Sequence, residues 1–349
     1  MQIHLMQLPR EVIVGSRILK DTGIICKRLG FSNSALVLTG QETYTIAAKT
    51  VIESLNRSGF RTSRLTVEKS TLKFVEKSQQ SIRKTKPSIV VGVGGGKIID
   101  VAKLSSAYEK VPFISIPTAA SHDGIASTHA SIKGMEKPVS VKAQAPIAII
   151  ADIRIIMRSP RRLTASGCGD LIAKYTAVRD WKLAHKLKNE YYGDYAASLA
   201  LMSARLIIEN ADLIRKDTEE GLRIVLEALI SCGVATSIAG STRPCSGSEH
   251  MFSHALELLA PKPALHGEQC GVGTIMMANL HGANWKLIQR ALKMLGAPTT
   301  AKELGIGEKY IIEALTVAHK IRPERYTILG EGLSKDAARR LARVTGVIG

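Results

Sequence analysis

Short runs of β-branched and aliphatic residues recur through residues 1–157, and stretches with helical spacing separate them. Glu11–Gly15 (EVIVG), Ala35–Thr39 (ALVLT), Thr62–Val67, Ser88–Val93 (SIVVGV), Phe113–Ile116 (FISI) and Ile147–Ala151 (IAIIA) read as strands. Ser16 to Leu29, Glu42–Ser58, Leu72–Lys84 and Ile98–Ala107 read as the intervening helices. Strands this uniformly apolar are covered on both faces, and strand–helix alternation delivers that cover by parallel crossovers. After Asp152 the strand pattern stops. Leu163–Lys186, Tyr195–Ile214, Glu219–Ile238, Glu249–Leu259, His266–Leu280, Trp285–Leu295, Glu308–Ala318 and Lys335–Val344 all show helical spacing. The expected fold is therefore an α/β nucleotide-binding domain with a parallel sheet, residues 1–157, followed by an all-α domain, residues 158–349.

Ligands of such sheets lie beyond the carboxyl ends of the strands. Two stretches fall there. In GVGGGKIIDVAK, Gly92–Lys103, a strand runs into Gly94, Gly95 and Gly96 and then into a helix. Glycines let backbone N–H groups approach a phosphate, and a helix start favours its negative charge. Asp100 is placed in the first turn, where it accepts from the loop amides. In PTAASHDGIAS, Pro117–Ser127, the hydroxyls of Thr118, Ser121 and Ser127 suit a ribose or phosphate, and His122 and Asp123 suit a polar substrate. The bland alternatives are a plain glycine turn and an ordinary polar loop. The strand ending Thr39-Gly40-Gln41 carries no acidic residue before Glu42, which predicts tolerance of both NADH and NADPH.

The helical half concentrates its histidines in SGSEHMFSHALELLAPKPALHGEQCGVG, Ser246–Gly273. His250 and His254 share one helical face, and His266 follows a Pro-rich turn at the start of a second helix. Two helices joined by a short turn can aim His250 and His266 at one divalent ion, zinc among them, with a third ligand from elsewhere. Asp170, near a helix start in SGCGDLIAKYTAVRDW, is the candidate carboxylate; a simple helix cap is the alternative for it, and backbone-bonded core histidines the alternative for the others. Asp plus two His leaves a coordination position open for substrate.

The formal charge of +18 and pI near 9.8 favour anionic partners. The basic residues are spread along helices, with no basic tail, and aromatics are 4% of the chain, so nucleic-acid binding is the lesser reading. Five cysteines without a CxxC pair fit reduced thiols. No uninterrupted apolar run reaches the roughly 20 residues of a membrane span, and the N-terminus lacks a signal-peptide pattern, so a cytoplasmic protein without stable membrane insertion is expected.

Taken together, GVGGGKIIDVAK, PTAASHDGIAS, SGCGDLIAK, GSEHMFSHALE and HGEQCGVG resemble, in order and over nearly the whole chain, the archaeal sn-glycerol-1-phosphate dehydrogenases. That family sits in the wider glycerol dehydrogenase, iron-type alcohol dehydrogenase and dehydroquinate synthase-like superfamily. The resemblance implies a dehydroquinate synthase-like fold with the site in the cleft between its domains. It implies zinc, one per chain, on Asp170, His250 and His266. It implies NAD(H) or NADP(H) on Gly94, Gly95, Gly96, Lys97, Ile98, Ile99 and Asp100, on Thr118, Ala119, Ala120 and Ser121, and on Ser127. Asp123 and His254 are implied as catalytic and substrate-contacting residues, and Asp170 as touching substrate as well as metal. The implied reaction interconverts dihydroxyacetone phosphate and sn-glycerol 1-phosphate for archaeal phospholipid synthesis, in a homo-oligomer. Glycerol dehydrogenase activity on unphosphorylated polyols is the nearest alternative; dehydroquinate synthase is disfavoured, because its metal carboxylate resembles a Glu where this chain has Asp170.

Overall fold

The computed structural model describes residues 4, 6–132 and 139–349. The chain divides into two compact units, Met1–Pro160 and Arg161–Gly349.

The first unit is built on a six-stranded sheet, β1 Glu11–Gly15, β2 Ser34–Thr39, β3 Arg61–Thr66, β4 Ile89–Gly94, β5 Phe113–Pro117 and β8 Ala148–Asp152, in the order β1-β8-β5-β4-β2-β3. Every pairing in it is parallel. One face packs on α1 Thr22–Arg28 and α2 Lys49–Arg57 through Val37, Val51, Leu55, Val91 and Ile150. The other packs on α3 Leu72–Thr85 and α4 Gly96–Tyr108 through Leu36, Leu38, Val90, Ile99 and Leu104. Apolar residues thus point both ways from each central strand, as the uniform hydrophobic runs required. Successive strands run outward from β2 to β3 and then inward from β4 to β5, so the direction reverses between β2 and β4, where α/β sheets bind ligands.

Three local readings need correction. The helix expected from Ser16 is a 3₁₀ turn at Leu19–Asp21 followed by α1. The Glu42–Ser58 helix begins at Gln41 and passes through a π turn at Tyr44–Ala48 before α2. A hairpin of β6 His129–Ile132 and β7 Val139–Lys142 had not been expected. Its strands are short and half polar, and the period-two pattern in HASI and VSVK is too brief to separate from loop.

The second unit is helical: α5 Arg161–Lys188, α6 Asp194–Glu209, α7 Glu219–Ala239, α8 Ser248–Leu259, α9 His266–Leu280, α10 Trp285–Met294, α11 Glu308–Val317 and α12 Lys335–Val344, with short helical turns between some of them. Among the described residues α7 alone is long and apolar enough to cross a membrane, despite the absence of an uninterrupted apolar run. Leu222, Val225, Leu226, Leu229 and Ile230 bury it inside the unit.

The unit is organised around α5 and α9, which touch backbone to backbone. A Cβ built on Gly169 of α5 would lie 2.3 Å from the Gly267 carbonyl oxygen, and one on Gly267 would lie 1.9 Å from the Ser166 carbonyl. No side chain other than hydrogen fits at either place, so the two glycines set the distance between the helices. Asp170 follows Gly169, and His266 precedes Gly267. The close approach therefore carries both residues to one spot.

Candidate metal and nicotinamide sites

The N-terminal half of α5, the first turn of α8 and the start of α9 converge on one group of donors. Ligand atoms of Asp170, His250, His266 and Cys270 all lie within 4.8 Å of one another. Asp170 Oδ1 is 3.4 Å from His250 Nε2, and the His250 and His266 rings are 5.1 Å apart. Asp170 is the tenth residue of its helix rather than a first-turn residue, which removes the helix-cap alternative for it.

The surroundings orient these donors. Glu249 is fully buried; Oε1 accepts from the Gly247 N–H at 2.7 Å and Oε2 from the Thr176 hydroxyl at 2.8 Å. Its Oε1 also sits 2.8 Å from His250 Nδ1, leaving Nε2 toward Asp170, the arrangement that fixes a metal-ligating imidazole. Lys174, one turn after Asp170, donates to Asp170 Oδ1 at 2.6 Å and is itself fully buried. Arg162 grips Glu268 with two bonds of 2.6 and 2.8 Å, and Glu268 accepts from the Leu265 N–H at 3.0 Å, which fixes the start of α9. His266 Nδ1 is 3.3 Å from Ser253 Oγ, and its Nε2 is 3.6 Å from Cys270 Sγ.

Burial lowers His250, but Cys270, Asp170 and Glu249 outweigh it and hold the imidazole well above its ordinary value, so a cation at its Nε2 would displace a proton. Burial pushes the Asp170 carboxyl up, but the Lys174 ammonium and the His250 contact outweigh it and hold the group well below the carboxylate range. Burial, and then the charge of His250, bring His266 down to about 3, so its lone pairs are available at neutral pH. Burial raises the Cys270 thiol, so it is a neutral thiol rather than a ready thiolate. One ionised carboxylate and two imidazoles, with a carboxylate behind one imidazole, are the chemistry of a divalent-metal centre with an open position, and the residues fit that group. His254 stands beside this centre, its ring 5.6 Å from that of His266 and its Nδ1 3.3 Å from Glu257 Oε2. His254, Glu257 and His266 form a second, less buried group of donors.

In the first unit, Gly94 of β4 pairs with Pro117 of β5, so the glycine turn and the Thr118–Ser127 loop leave the carboxyl end of the sheet side by side. The Gly95 carbonyl takes the N–H groups of Ile98 and Ile99 at 3.0 and 3.2 Å, closing the first turn of α4. A Cβ on Gly95 would meet nothing within 4 Å, so the turn's backbone faces open space. One on Gly96 would fall 1.9 Å from His122 Nε2. The His122 ring therefore occupies the place of a side chain beside the turn, and its Nδ1 accepts from the Gly124 N–H at 2.9 Å. Such a cradle of open backbone at a helix start fits a pyrophosphate.

The stretch is not uniformly available. Lys97 is exposed, whereas Ile98, Ile99 and Asp100 are buried, so only their backbone can meet a ligand. Asp100 does not accept from the glycine loop: its Oδ2 accepts from the Ser131 N–H at 3.1 Å, and it belongs to the second turn of α4. Thr118, Ala119, Ala120 and Ser127 are buried, and Ser121 and Asp123 partly so. Asp123 opens a 3₁₀ turn, Asp123–Ile125, and its carbonyl accepts from the Ala126 and Ser127 N–H groups at 3.1 and 3.2 Å.

Several residues were missed in the sequence although their spacing was visible. Lys174 follows Asp170 by four, Cys270 follows His266 by four and Glu257 follows His254 by three, all helical neighbours. Lys103, at the end of GVGGGKIIDVAK, is fully buried and donates to the carbonyls of Gly124 at 2.7 Å and His129 at 2.6 Å. It ties α4 to the loop that carries Asp123 and Ser127.

Residues 13–160 match the iron-containing alcohol dehydrogenase family. The glycerol-1-phosphate dehydrogenase (NAD(P)+) of Methanothermobacter thermautotrophicus is 56% identical over 344 residues, covering 98% of this chain and 99% of that protein. The protein of the same name from Pyrococcus furiosus is 56% identical over 347 residues, covering 99% and 100%. Among solved structures, glycerol dehydrogenase from Schizosaccharomyces pombe superposes with a TM-score of 0.82 at 20% identity, covering 99% of this chain and 92% of that one, a likeness of fold. Each of these two relatives shares more than half its residues with this chain over nearly its full length, and the chain belongs to the glycerol-1-phosphate dehydrogenase (NAD(P)+) family.

Proposed function

We propose that this chain reduces dihydroxyacetone phosphate to sn-glycerol 1-phosphate with NADH or NADPH, supplying the glycerol backbone of archaeal phospholipids in the cytoplasm, as a homo-oligomer. The observation that carries the reading is the convergence of Asp170, His250 and His266 in a chain 56% identical to proteins of that activity.

Zinc is the proposed ion, held by Asp170, His250 and His266; when bound it supplies Lewis-acid polarisation of a carbonyl. Asp170 brings the negative charge to the site, and Lys174 holds that carboxylate in place. Glu249, through His250 Nδ1, keeps Nε2 directed at the donor group. His254 is the proposed proton donor to the oxygen that becomes the new hydroxyl, with Glu257 orienting its ring from Nδ1. Asp123 is proposed to contact substrate as well. In the first unit, the backbone of Gly94–Asp100 is proposed to take the pyrophosphate of the nicotinamide nucleotide, and Thr118–Ser121 and Ser127 its ribose and nicotinamide. No acidic side chain ends β2, where Thr39 and Gly40 stand, and Thr43 Oγ1 takes the Gly40 N–H at 2.9 Å, which supports acceptance of a 2′-phosphate.

The test is NADH and NADPH oxidation with dihydroxyacetone phosphate, before and after chelation, with chiral analysis of the product. Expected are turnover, its loss on chelation, its return with zinc, and the sn-1 product. Equal turnover of unphosphorylated dihydroxyacetone, or the sn-3 product, would overturn the assignment.

A further inference from the structure

Cys270 belongs to the group of four donors, yet a centre of Asp170, His250 and His266 gives it no task. It is the fifth residue of α9, one turn after His266, and it is fully buried. The face of α9 that carries it lies against α5: a Cβ on the next residue, Gly271, would stand 3.5 Å from the Gly169 Cα. The thiol is thereby held against the helix that brings Asp170. Its Sγ is 3.6 Å from His266 Nε2, while His266 Nδ1 faces Ser253 Oγ at 3.3 Å and Glu257 Oε1 at 3.9 Å. Nε2 is thus the nitrogen that His266 turns to the side of Cys270.

Two spacings in the group match those of donors that share one tetrahedral zinc. With bonds of roughly 2.0–2.2 Å to nitrogen or oxygen and roughly 2.3 Å to sulfur, a tetrahedron has edges of about 3.4 Å between oxygen and nitrogen and about 3.6 Å between nitrogen and sulfur. Asp170 Oδ1 and His250 Nε2 are 3.4 Å apart, and His266 Nε2 and Cys270 Sγ are 3.6 Å apart. These two edges share no atom, so together they account for all four corners. The remaining edges lie within the 4.8 Å that spans the whole group. Asp170 Oδ1 also accepts from Lys174 at 2.6 Å, and a carboxylate oxygen keeps a second lone pair for a metal.

We propose that Cys270 is the fourth donor of the resting metal centre, its sulfur holding the position that substrate takes during turnover. The proposal rests on the centre of Asp170, His250 and His266 put forward above. As sulfur bonds to the metal, the S–H proton passes to solvent, because a coordinating thiol is deprotonated; no electron is transferred. When substrate arrives the sulfur yields the position and takes a proton back from solvent. A thiolate is a soft donor that suits zinc better than magnesium or calcium, which accords with zinc as the resident ion. The exchange keeps the fourth position closed to other small donors between turnovers.

Zinc is spectroscopically silent, so the test uses cobalt(II) exchanged into the full chain, read by metal stoichiometry and by the sulfur-to-cobalt charge-transfer band in the near ultraviolet. The wild type is expected to bind one cobalt per chain with that band, and to lose the band when dihydroxyacetone phosphate is added. Cys270→Ser is expected to bind cobalt without the band, its affinity lower by at least about 10-fold, the lower end for a disturbed ligand environment. Cys168→Ala removes another buried thiol, two residues before Asp170, and is expected to keep the band. X-ray absorption on the zinc-loaded wild type, which needs no variant, is expected to show one sulfur neighbour at about 2.3 Å. Bound cobalt without the band, a band that survives in Cys270→Ser, or zinc without a sulfur neighbour would each overturn the assignment and leave Cys270 a packed core thiol. A band indifferent to substrate would overturn the exchange. His266→Ala tests the centre separately. If that protein binds cobalt as the wild type does, the centre itself falls; if cobalt depends on His266 but shows no band, the role of Cys270 alone falls.

Discussion

Gly169→Ala tests the close contact that creates the metal centre. On an isolated helix the change stabilises by about 1 kcal/mol, because alanine is the better helix former. Here the new methyl would sit 2.3 Å from the Gly267 carbonyl oxygen, more than an ångström short of the 3.4 Å at which ordinary contact begins. The obstacle is backbone and cannot rotate away, so α5 and α9 must separate. Overpacking of this kind costs about 1–3 kcal/mol, which outweighs the helical gain over most of that range. A net loss of up to about 2 kcal/mol lowers the melting temperature by up to roughly 8 °C in a domain of this size. The functional loss is expected to be larger than the stability loss. Metal distances tolerate only about 0.2 Å, and Asp170 is the next residue along the displaced helix. Metal affinity is expected to fall on the order of 100-fold, as for a disturbed ligand environment at the upper end. Differential scanning calorimetry and competition dialysis with a zinc chelator measure the two quantities. A Gly169→Ala protein that melts above wild type and binds metal normally would refute the steric reasoning.

Three other outcomes follow from the same coordinates. Glu249→Gln keeps the bulk of the side chain but not the charge behind His250, and metal affinity is expected to drop about 10- to 100-fold in the same dialysis, with the far-ultraviolet circular dichroism unchanged. Lys103→Met removes the donor to Gly124 and His129 and leaves Asp100 buried beside no cation, so the first unit is expected to lose about 3–5 kcal/mol in urea unfolding. Glu303 is lowered below 4.5: burial raises it, but the Thr299 N–H and hydroxyl and the Thr300 N–H outweigh that. A carboxyl depressed in the folded state adds stability above its unfolded pKa and loses it as pH falls through the folded one. The melting gap between wild type and Glu303→Gln is therefore expected to be open at pH 7 and to close on acidification below about pH 4; a gap that widens in acid would contradict the sign.

Much of this is legible in the sequence. Five of the six sheet strands were visible because each is a dense apolar run, whereas β3, RTSRLT, is mostly polar, and the helical half was visible because its spacing persists over many turns. Asp170, His250 and His266 were legible as residue types, and His250 with His254 as a helical pair. Their convergence was expected from the two-helix spacing and the family resemblance; what the pattern did not show is how it is achieved, which depends on Gly169 and Gly267, whose role is defined only by what lies opposite them. Cys270 and Lys174 were one turn from named residues yet not singled out, since neither burial nor the partner of a lysine can be read from spacing.

The most direct measurement is an anomalous diffraction experiment at the zinc edge on crystals of the purified protein. The account predicts one peak per chain about 2.0–2.2 Å from the Asp170 carboxylate and the facing nitrogens of His250 and His266, and its loss in His266→Ala together with turnover. A fully active His266→Ala protein, or a peak at other residues with this trio bare, would contradict it.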